Sequence, residues 1–322
     1  MPSTLRSSSA GAITRIVLHN PSAGSSWQSR RRRRALEALS ALPGTMLIAT
    51  RKGSVAEQTR ELLTAETTSV FACGGDGTVS DVASGLVGTD VALGIIPAGT
   101  TNTLAYEFGI PDHPLRAVRA LVASSTTRQL RTWTVGQHRL VLGLGVGWDA
   151  RLMWRTPTAI KRRLGYFAFT PIGVALAATY EFPEITVEGI GPQEERVSAV
   201  GTSVLVSNCK RWAGSRAVFP NSDPSRELLD VIVLERHSKV NLAAFWLHMM
   251  LPGGKPLALS GVRSMQLRRL TLTSSAAGGV EAHINGDPIA RTPLSIEPSG
   301  SVRVIVPERG SHQVAGSSTR TV

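Results

Sequence analysis

Cysteine is scarce in this chain: Cys73 and Cys209 are the only two among 322 residues. They lie far apart with no paired spacing, which excludes a disulfide framework and a clustered-cysteine zinc site and suits a reducing interior. Long hydrophobic runs are also lacking. The longest apolar stretches, Gly165 to Tyr180 and Leu242 to Leu251, fall short of the ~20 residues that a membrane-spanning helix needs. Ile13 to Leu18 is too short for the core of a secretory signal. The expected location is therefore cytoplasmic, with any membrane contact peripheral. The seven histidines show no ligand spacing, and no internal repeat is visible. Aromatics are sparse and do not interleave with basic residues as a base-stacking surface would, so no nucleic-acid partner is expected. Acidic residues are outnumbered as well: 23 Asp and Glu stand against 35 Lys and Arg, a net charge of +12. Such an excess attracts anionic partners, among them phosphorylated substrates and acidic membrane surfaces.

What is present divides in two. A chain of 322 residues fits two domains. The first 130 residues alternate apolar runs and helical spacings. Ile13 to Leu18, Thr45 to Ala49, Ser69 to Cys73 and Val91 to Ile96 read as strands. Helices are expected at Ala35 to Leu42, around Val55 to Leu63, from Val79 to Leu86, and through Leu104 and Phe108. This βαβα order predicts an α/β domain with a parallel sheet over residues 12–131. From about Thr132 the runs are short and β-prone: Leu140 to Leu144, Ile185 to Glu188, Ser203 to Val206, Val231 to Leu234, Leu267 to Thr273, Ala282 to Ile284 and Val302 to Val306. A mainly antiparallel β-sandwich is expected over residues 132–307, its last strand a candidate to pack back on the first domain. Tyr166 to Tyr180 and Leu242 to Met250 look helical. Residues 1–11 and 308–322, rich in Ser, Gly and Arg, read as disordered tails.

Each strand of the first domain ends in a turn of small residues. These are Asn20-Pro21-Ser22-Ala23-Gly24, Thr50-Arg51-Lys52-Gly53, Gly74-Gly75-Asp76-Gly77-Thr78 and Pro97-Ala98-Gly99-Thr100-Thr101-Asn102. Ligands of an open parallel sheet bind beyond the carboxyl ends of its strands, so all four turns are expected to converge on one cleft. In the third, three glycines clear side chains away, letting backbone N–H groups approach a phosphate at the N-terminus of the following helix. Thr78 adds a hydroxyl, and Asp76 can hold a metal or handle a proton. The run Arg30 to Arg34 reads as the solvated first turn of the helix through Leu36 and Leu39. Contact with phosphates or a membrane is its alternative reading.

The Gly74 to Thr78 motif, followed by Ile96-Pro97-Ala98-Gly99-Thr100-Thr101-Asn102, resembles the catalytic domain of the diacylglycerol kinase family, which includes bacterial lipid kinases, sphingosine kinases and ceramide kinases. The resemblance extends to Asn20 and Thr50, to Gly145-Val146-Gly147-Trp148-Asp149, to Lys161 to Tyr166, and to Asn285-Gly286-Asp287. It implies ATP held between an α/β domain and a β-sandwich, with Mg²⁺, a lipid substrate and a peripheral anionic membrane surface as partner. Thr50, the run Gly74, Gly75, Asp76, Gly77, Thr78, Val79 and Ser80, and Thr100 match positions that hold the nucleotide; Asn20, Gly99 and Asn102 belong to the same turns. Asp287 falls on the acid closing the family's Asp-Gly-Glu motif, assigned in bacterial members as the base that takes the lipid proton. Asp76 matches the acid given that role in other relatives, and both stay candidates.

Three positions depart from the family pattern. Thr103 follows Asn102 where an Asp is frequent, Arg226-Glu227 replaces Asp-Gly before Leu228-Leu229-Asp230-Val231, and Asp287 replaces Glu. The last shortens the acid's reach by roughly 1.5 Å. An ATP-dependent lipid kinase is the expected activity. A catalytically impaired nucleotide- or lipid-binding homologue and an NAD kinase, which shares the GGDGT loop, are the alternatives.

Overall fold

In the computed structural model of the chain, the described residues are 13–24, 26–51, 53–156, 172–173, 176, 179–236, 238–251 and 253–308. The motif Lys161 to Tyr166, most of the apolar segment Tyr166 to Tyr180 and nearly all of both expected tails lie outside them. The N-terminal runs of β-branched and aliphatic residues form β1 (Arg15–His19), β2 (Thr45–Ala49), β3 (Ser69–Gly74) and β4 (Ala92–Pro97). They pair in parallel in the order β2-β1-β3-β4. β3 is buried along its whole length, as a central strand with both faces covered must be. Phe71 on β3 lies opposite Gly94 on β4, where a Cβ would stand only 2.5 Å from the ring. Gly94 is therefore the space the phenyl group occupies.

The crossovers are α1 (Ser26–Ser40), α2 (Val55–Leu62), α3 (Asp76–Leu86), α4 (Thr103–Glu107) and α5 (Pro114–Val122). Ser54 caps α2 by accepting from the Glu57 N–H at 3.1 Å. Two differences from expectation have local causes. α1 starts well before Ala35, so Arg30 to Arg34 sit within the helix rather than in its first turn. Arginine is a strong helix former, but it leaves no apolar period to read. α5 begins with Pro114 in its first turn and buries Ala117, Val118 and Leu121, a start signal that the strand pattern obscured.

The second half is antiparallel. A six-stranded sheet, ordered β14-β13-β10-β7-β16-β17, faces part of the larger ten-stranded sheet. Here β7 is Gly143–Val146, β10 Ser203–Ser207, β13 Leu229–Leu234, β14 Val262–Leu267, β16 Glu281–Ile284 and β17 Asp287–Arg291. On the larger sheet lie β5 (Thr127–Val135), β6 (His138–Leu140), β8 (Ile185–Ile190), β9 (Arg196–Gly201), β15 (Arg269–Ser274) and β18 (Leu294–Ile305). Trp133, Leu144, Ile185, Val204, Val231, Leu270 and Ile296 fill the sandwich core between the two. β18 joins both halves: Ile296 pairs antiparallel with Leu270 of β15, and Val304 pairs in parallel with Leu93 of β4. The expected boundary between residues 131 and 132 falls inside β5.

Two expected strands prove to be two each. Leu140 to Leu144 is interrupted because the N–H groups of Val141 and Leu142 both donate to Asn285 Oδ1 at 2.9 Å, outside the ladder. Leu267 to Thr273 divides at Arg268, where the chain leaves the small sheet for the large one. The Arg268 carbonyl there accepts Trp133 Nε1 at 2.9 Å, and its N–H donates to Ile190 O at 2.8 Å. Two helices follow the same sheet, α6 (Trp148–Arg155) and α7 (Lys239–Met250). No helix among the described residues is long and apolar enough to cross a membrane.

Phe71 is 1% exposed, and beside it Gly94 has no side chain to refill a void. Phe71→Ala is expected to lower unfolding free energy by about 3–5 kcal/mol, at the value typical of a buried aromatic truncation. A denaturant midpoint shifted at unchanged m-value is the reading that checks it.

Candidate functional site

The four turns do meet at one sheet edge. Asn20 Nδ2 donates to Thr78 Oγ1 at 3.2 Å, tying the first turn to the third, and Thr50 N–H donates to His19 O at 2.9 Å, placing the second beside the first. The third and fourth turns touch back to back. A Cβ on Gly99 would stand 2.4 Å from Gly75 Cα, and one on Gly75 would stand 3.2 Å from Gly99 Cα. Only two glycines allow that approach. Gly74 is required for a different reason, since a Cβ there would strike the Thr78 side chain at 2.6 Å.

Asp76 holds the pair of loops in place. Its carboxylate accepts Thr101 Oγ1 at 2.8 Å, Thr103 N–H at 3.0 Å and Leu104 N–H at 3.1 Å. It thus caps α4 from outside that helix, satisfying amides that would otherwise be orphaned. Asn102, with a left-handed φ of 48°, closes the fourth turn: its Oδ1 accepts Gly99 N–H at 2.9 Å and its Nδ2 donates to Gly99 O at 3.0 Å. Thr103, where relatives often carry an acid, gives its hydroxyl to the Gly214 N–H at 2.8 Å as acceptor. Arg32, from the basic run, bonds the carbonyls of Asn20 and Pro21 at 3.0 and 2.9 Å, and that of Ala23 as well. One member of the run therefore shapes the first turn.

At the centre of this arrangement, α3 begins at Asp76 with no side-chain cap on its N-cap residue Gly75. Its first-turn N–H groups lie beyond the reach of the helix's own carbonyls, with the positive end of the dipole behind them. Thr78 Oγ1 accepts from Asn20 and keeps its own proton to donate. Val79 and Ser80 are both 2% exposed, Val79 in the hydrophobic core. Thr100 is exposed at the rim of the fourth turn, and Thr50 is half-buried.

The opposite wall comes from the second half of the chain. Asn285 and Gly286, with φ of 55° and 89°, form the two-residue turn between β16 and β17. Both left-handed positions suit the Asn-Gly hairpin pattern. Asn285 locks this turn by accepting Val141 and Leu142 N–H and donating Nδ2 to Arg139 O at 2.7 Å. Asp287 follows as the first residue of β17, not as part of the turn. Its Oδ2 lies 4.0 Å from where a Cβ on Gly77 would be. The two sequence-identified acids are thus brought to one place but used differently: Asp76 faces the α4 amides, and Asp287 overhangs the glycine loop.

Three participants were not singled out from sequence. Asp81 sits one helical turn beyond Gly77 on α3; burial and then the neighbouring Asp287 charge push its carboxyl up to about 6, although part of its surface meets water. The i, i+4 offset from Gly77 was a readable signal. His283 and Asp149 form a buried pair, Nε2 to Oδ2 at 2.7 Å with side-chain exposures of 4% and 5%. Gly286 N–H donates to His283 Nδ1 at 3.3 Å, so the Nε2 nitrogen carries the proton that meets Asp149. A Cβ on Gly145 would collide with both partners, at 2.5 and 2.8 Å. The pair braces the hairpin just before Asp287. Near the Arg226-Glu227 departure, Asp223 is engaged by Arg128 at 3.7 Å and Glu227 by Arg131 at 3.4 Å. Both cysteines are buried, and burial pushes the Cys73 thiol up to about 12.

Comparison with known proteins identifies the family of both halves of the chain. The family model for the diacylglycerol kinase catalytic domain matches residues 14–135, and that for the YegS C-terminal NAD kinase beta sandwich-like domain matches residues 143–307. A protein of Bacillus subtilis named diacylglycerol kinase is 27% identical over 195 residues, 60% of this chain and 62% of that one. A Pseudomonas aeruginosa protein named "Probable lipid kinase YegS-like" is 28% identical over 261 residues, 77% of this chain and 79% of that one. A crystal structure described as a diacylglycerol kinase from Bacillus anthracis superposes with a TM-score of 0.70 at 17% identity, covering 92% of this chain and 98% of that chain. The last shows the shared fold. The first four relatives align over only 27% to 63% of their own length.

Gly99→Ala is expected to force the two loops apart, costing about 1–3 kcal/mol as overpacking does. Mg-ATP is expected to stabilise the wild type thermally, and that stabilisation should vanish with the substitution; a full ATP-induced shift in the variant would contradict the cradle. Asp81 makes a second expectation. Its raised folded pKa means that the folded state binds more protons than the unfolded one between pH 3.8 and about 6. Its contribution to stability therefore falls as pH rises through that window. Asp81→Asn should gain on the wild type at pH 7 and match it near pH 4, read as the difference in Tm across that range.

Proposed function

Because the chain belongs to the diacylglycerol kinase catalytic-domain family of lipid kinases, we propose that it transfers the γ-phosphoryl group of ATP to the hydroxyl of a neutral lipid such as diacylglycerol. The observation that carries this reading is the placement of Asp287 Oδ2 over Gly77, at the uncapped N-terminus of α3. A phosphate fits the cradle in the plain sense that the space beside Gly77 is open, a Cβ there meeting only Asp287 Oδ2 at 4.0 Å. The α3 amides, the helix dipole and the Thr78 hydroxyl supply donors to phosphate oxygens. Phosphoryl transfer asks little covalent chemistry of the protein beyond positioning and charge neutralisation.

In the proposed reaction Asp287 accepts the proton of the lipid hydroxyl as its oxygen bonds the γ-phosphorus. The bond from that phosphorus to the bridging oxygen breaks, and ADP leaves with the electron pair. Asp76 is the less suitable base, because Thr101, Thr103 and Leu104 already occupy its carboxylate. The donor set also fits Mg²⁺, an ion held by one or two carboxylates together with substrate phosphates. Asp81, on α3 and near enough for the Asp287 charge to raise its carboxyl pKa, is the residue that would hold the ion. When bound, Mg²⁺ neutralises charge on the transferring phosphates. Support for a lipid acceptor comes from the surroundings of the base. Asp287, Ile289 and Arg291 share one face of β17. Ile289 is 48% exposed, and Trp154, 44% exposed, lies under the Arg291 guanidinium at 5.8 Å. An exposed apolar pair beside a proton acceptor suits an alcohol attached to acyl chains.

Purified protein incubated with Mg-ATP and a panel of lipids, NAD included, is expected to label diacylglycerol or a related neutral lipid. Asp287→Asn should reduce that turnover ~10²-fold or more while ATP still raises Tm, as loss of a general base does. Asp287→Glu should preserve or raise the rate. Turnover by Asp287→Asn at the wild-type rate would assign the base elsewhere; labelled NAD alone would replace the acceptor class.

A further inference from the structure

We infer that the outward face of α7 inserts into the interfacial layer of an anionic lipid bilayer. The helix Lys239–Met250 has two apolar stripes. Leu242, Phe245 and Met249 face inward, each 4% exposed, and pack with Trp148, Leu205 and Ile232. Val240, Ala243, Leu247 and, just past the end, Leu251 recur at helical spacing on the other side. Val240 is 76% exposed, Leu247 54% and Leu251 51%. Exposed aliphatics repeated along one helix face are not explained by packing within the described residues, and such patches mark interaction surfaces.

Charge selects the occupant. α7 contains no acidic residue. Arg236 and Lys239 stand at its start and Lys255 after its end, all exposed; the nearby acid, Glu235, is paired with Arg263 at 3.7 Å. An apolar stripe framed by cations is the composition of a helix that lies in a bilayer interface rich in anionic lipid. A second copy of the chain fits poorly. It would bring these cations face to face across a two-fold axis, on molecules of net charge +12. Twelve helical residues also present a strip only about 18 Å long and about 10 Å wide, far below the roughly 800 Å² per partner of a standard interface. The face is also continuous with the candidate site. Trp246 of α7 meets Trp148 edge to face at 5.0 Å, Trp148 precedes Asp149, and Asp149 holds His283 before the Asp287 hairpin. These contacts link α7, through α6, to the hairpin that carries the proposed base. The choice of a bilayer rests on the lipid-substrate reading.

The test uses the full chain and vesicles of phosphatidylglycerol and phosphatidylcholine. The double variant Leu247→Glu with Leu251→Glu is expected to bind these vesicles at least roughly 10-fold more weakly in sedimentation. It should retain wild-type Tm, ATP-induced stabilisation and turnover of a water-soluble short-chain diacylglycerol. As an independent reading, Leu247→Cys carrying an environment-sensitive dye should shift its emission to the blue on adding vesicles; both native thiols are buried and escape labelling. Unchanged vesicle affinity in the double variant, or a dye that keeps its water-like emission, would overturn the inference. So would a wild-type dimer that the double variant dissociates. A wild type that phosphorylates no lipid, yet still blue-shifts at residue 247, would sink the kinase reading and leave this one standing.

Discussion

The glycine-loop end of this protein depends on one carboxylate used as a structural clamp. Asp76 receives a hydroxyl and two backbone amides from the loop after β4, and in doing so brings Gly99 against Gly75. Hydrogen bonds to an ionised acceptor are about twice as strong as neutral ones, and these are buried. The clamp gives α4 its start, sets the fourth turn and leaves the N-terminus of α3 open. An acid in the middle of a glycine loop looks like chemistry. Its first task here is to hold two strand-to-helix turns at a separation that side chains would forbid.

The second half of the chain answers with a rigid hairpin. Asn285 satisfies three backbone groups of the β6–β7 connection, and the His283–Asp149 pair braces the turn from beneath. The strand that starts at Asp287 therefore points its carboxylate at Gly77 from a fixed support. Sites built on such elements hold their geometry better than sites on loops. β18 runs from the sandwich to the edge of β4, so the glycine loops share one sheet with a layer of the sandwich, and Asp287 stands on the other, six-stranded layer.

Much of this was legible from residue patterns. Thr45 to Ala49 forms the strand read from it, and the parallel sheet followed from alternating apolar runs and helical spacings. The turns declared themselves through glycine, because only glycine allows the observed approach. What escaped detection depended on contacts distant in sequence. Nothing local announces that Arg268 is a corner between two sheets, or that the Asn285 side chain would interrupt Leu140 to Leu144. His283 had no partner at any recognisable spacing, since Asp149 lies 134 positions away. Asp81 acquires its meaning only when Asp287 arrives beside it. The basic run Arg30 to Arg34 read as a solvated helix turn or a contact for phosphates or membrane, whereas Arg32 bonds the first turn through backbone carbonyls that carry no sequence signature.

The account turns on nucleotide phosphates resting between the two glycine loops that Asp76 joins. Amide hydrogen exchange, with and without Mg-ATP, reads those loops directly. Slowed exchange is expected together at Gly75 to Thr78 and at Gly99 to Asn102, with the sandwich strands β8 and β9 unchanged. Exchange at Gly75 to Thr78 that stays the same in saturating Mg-ATP would contradict the account.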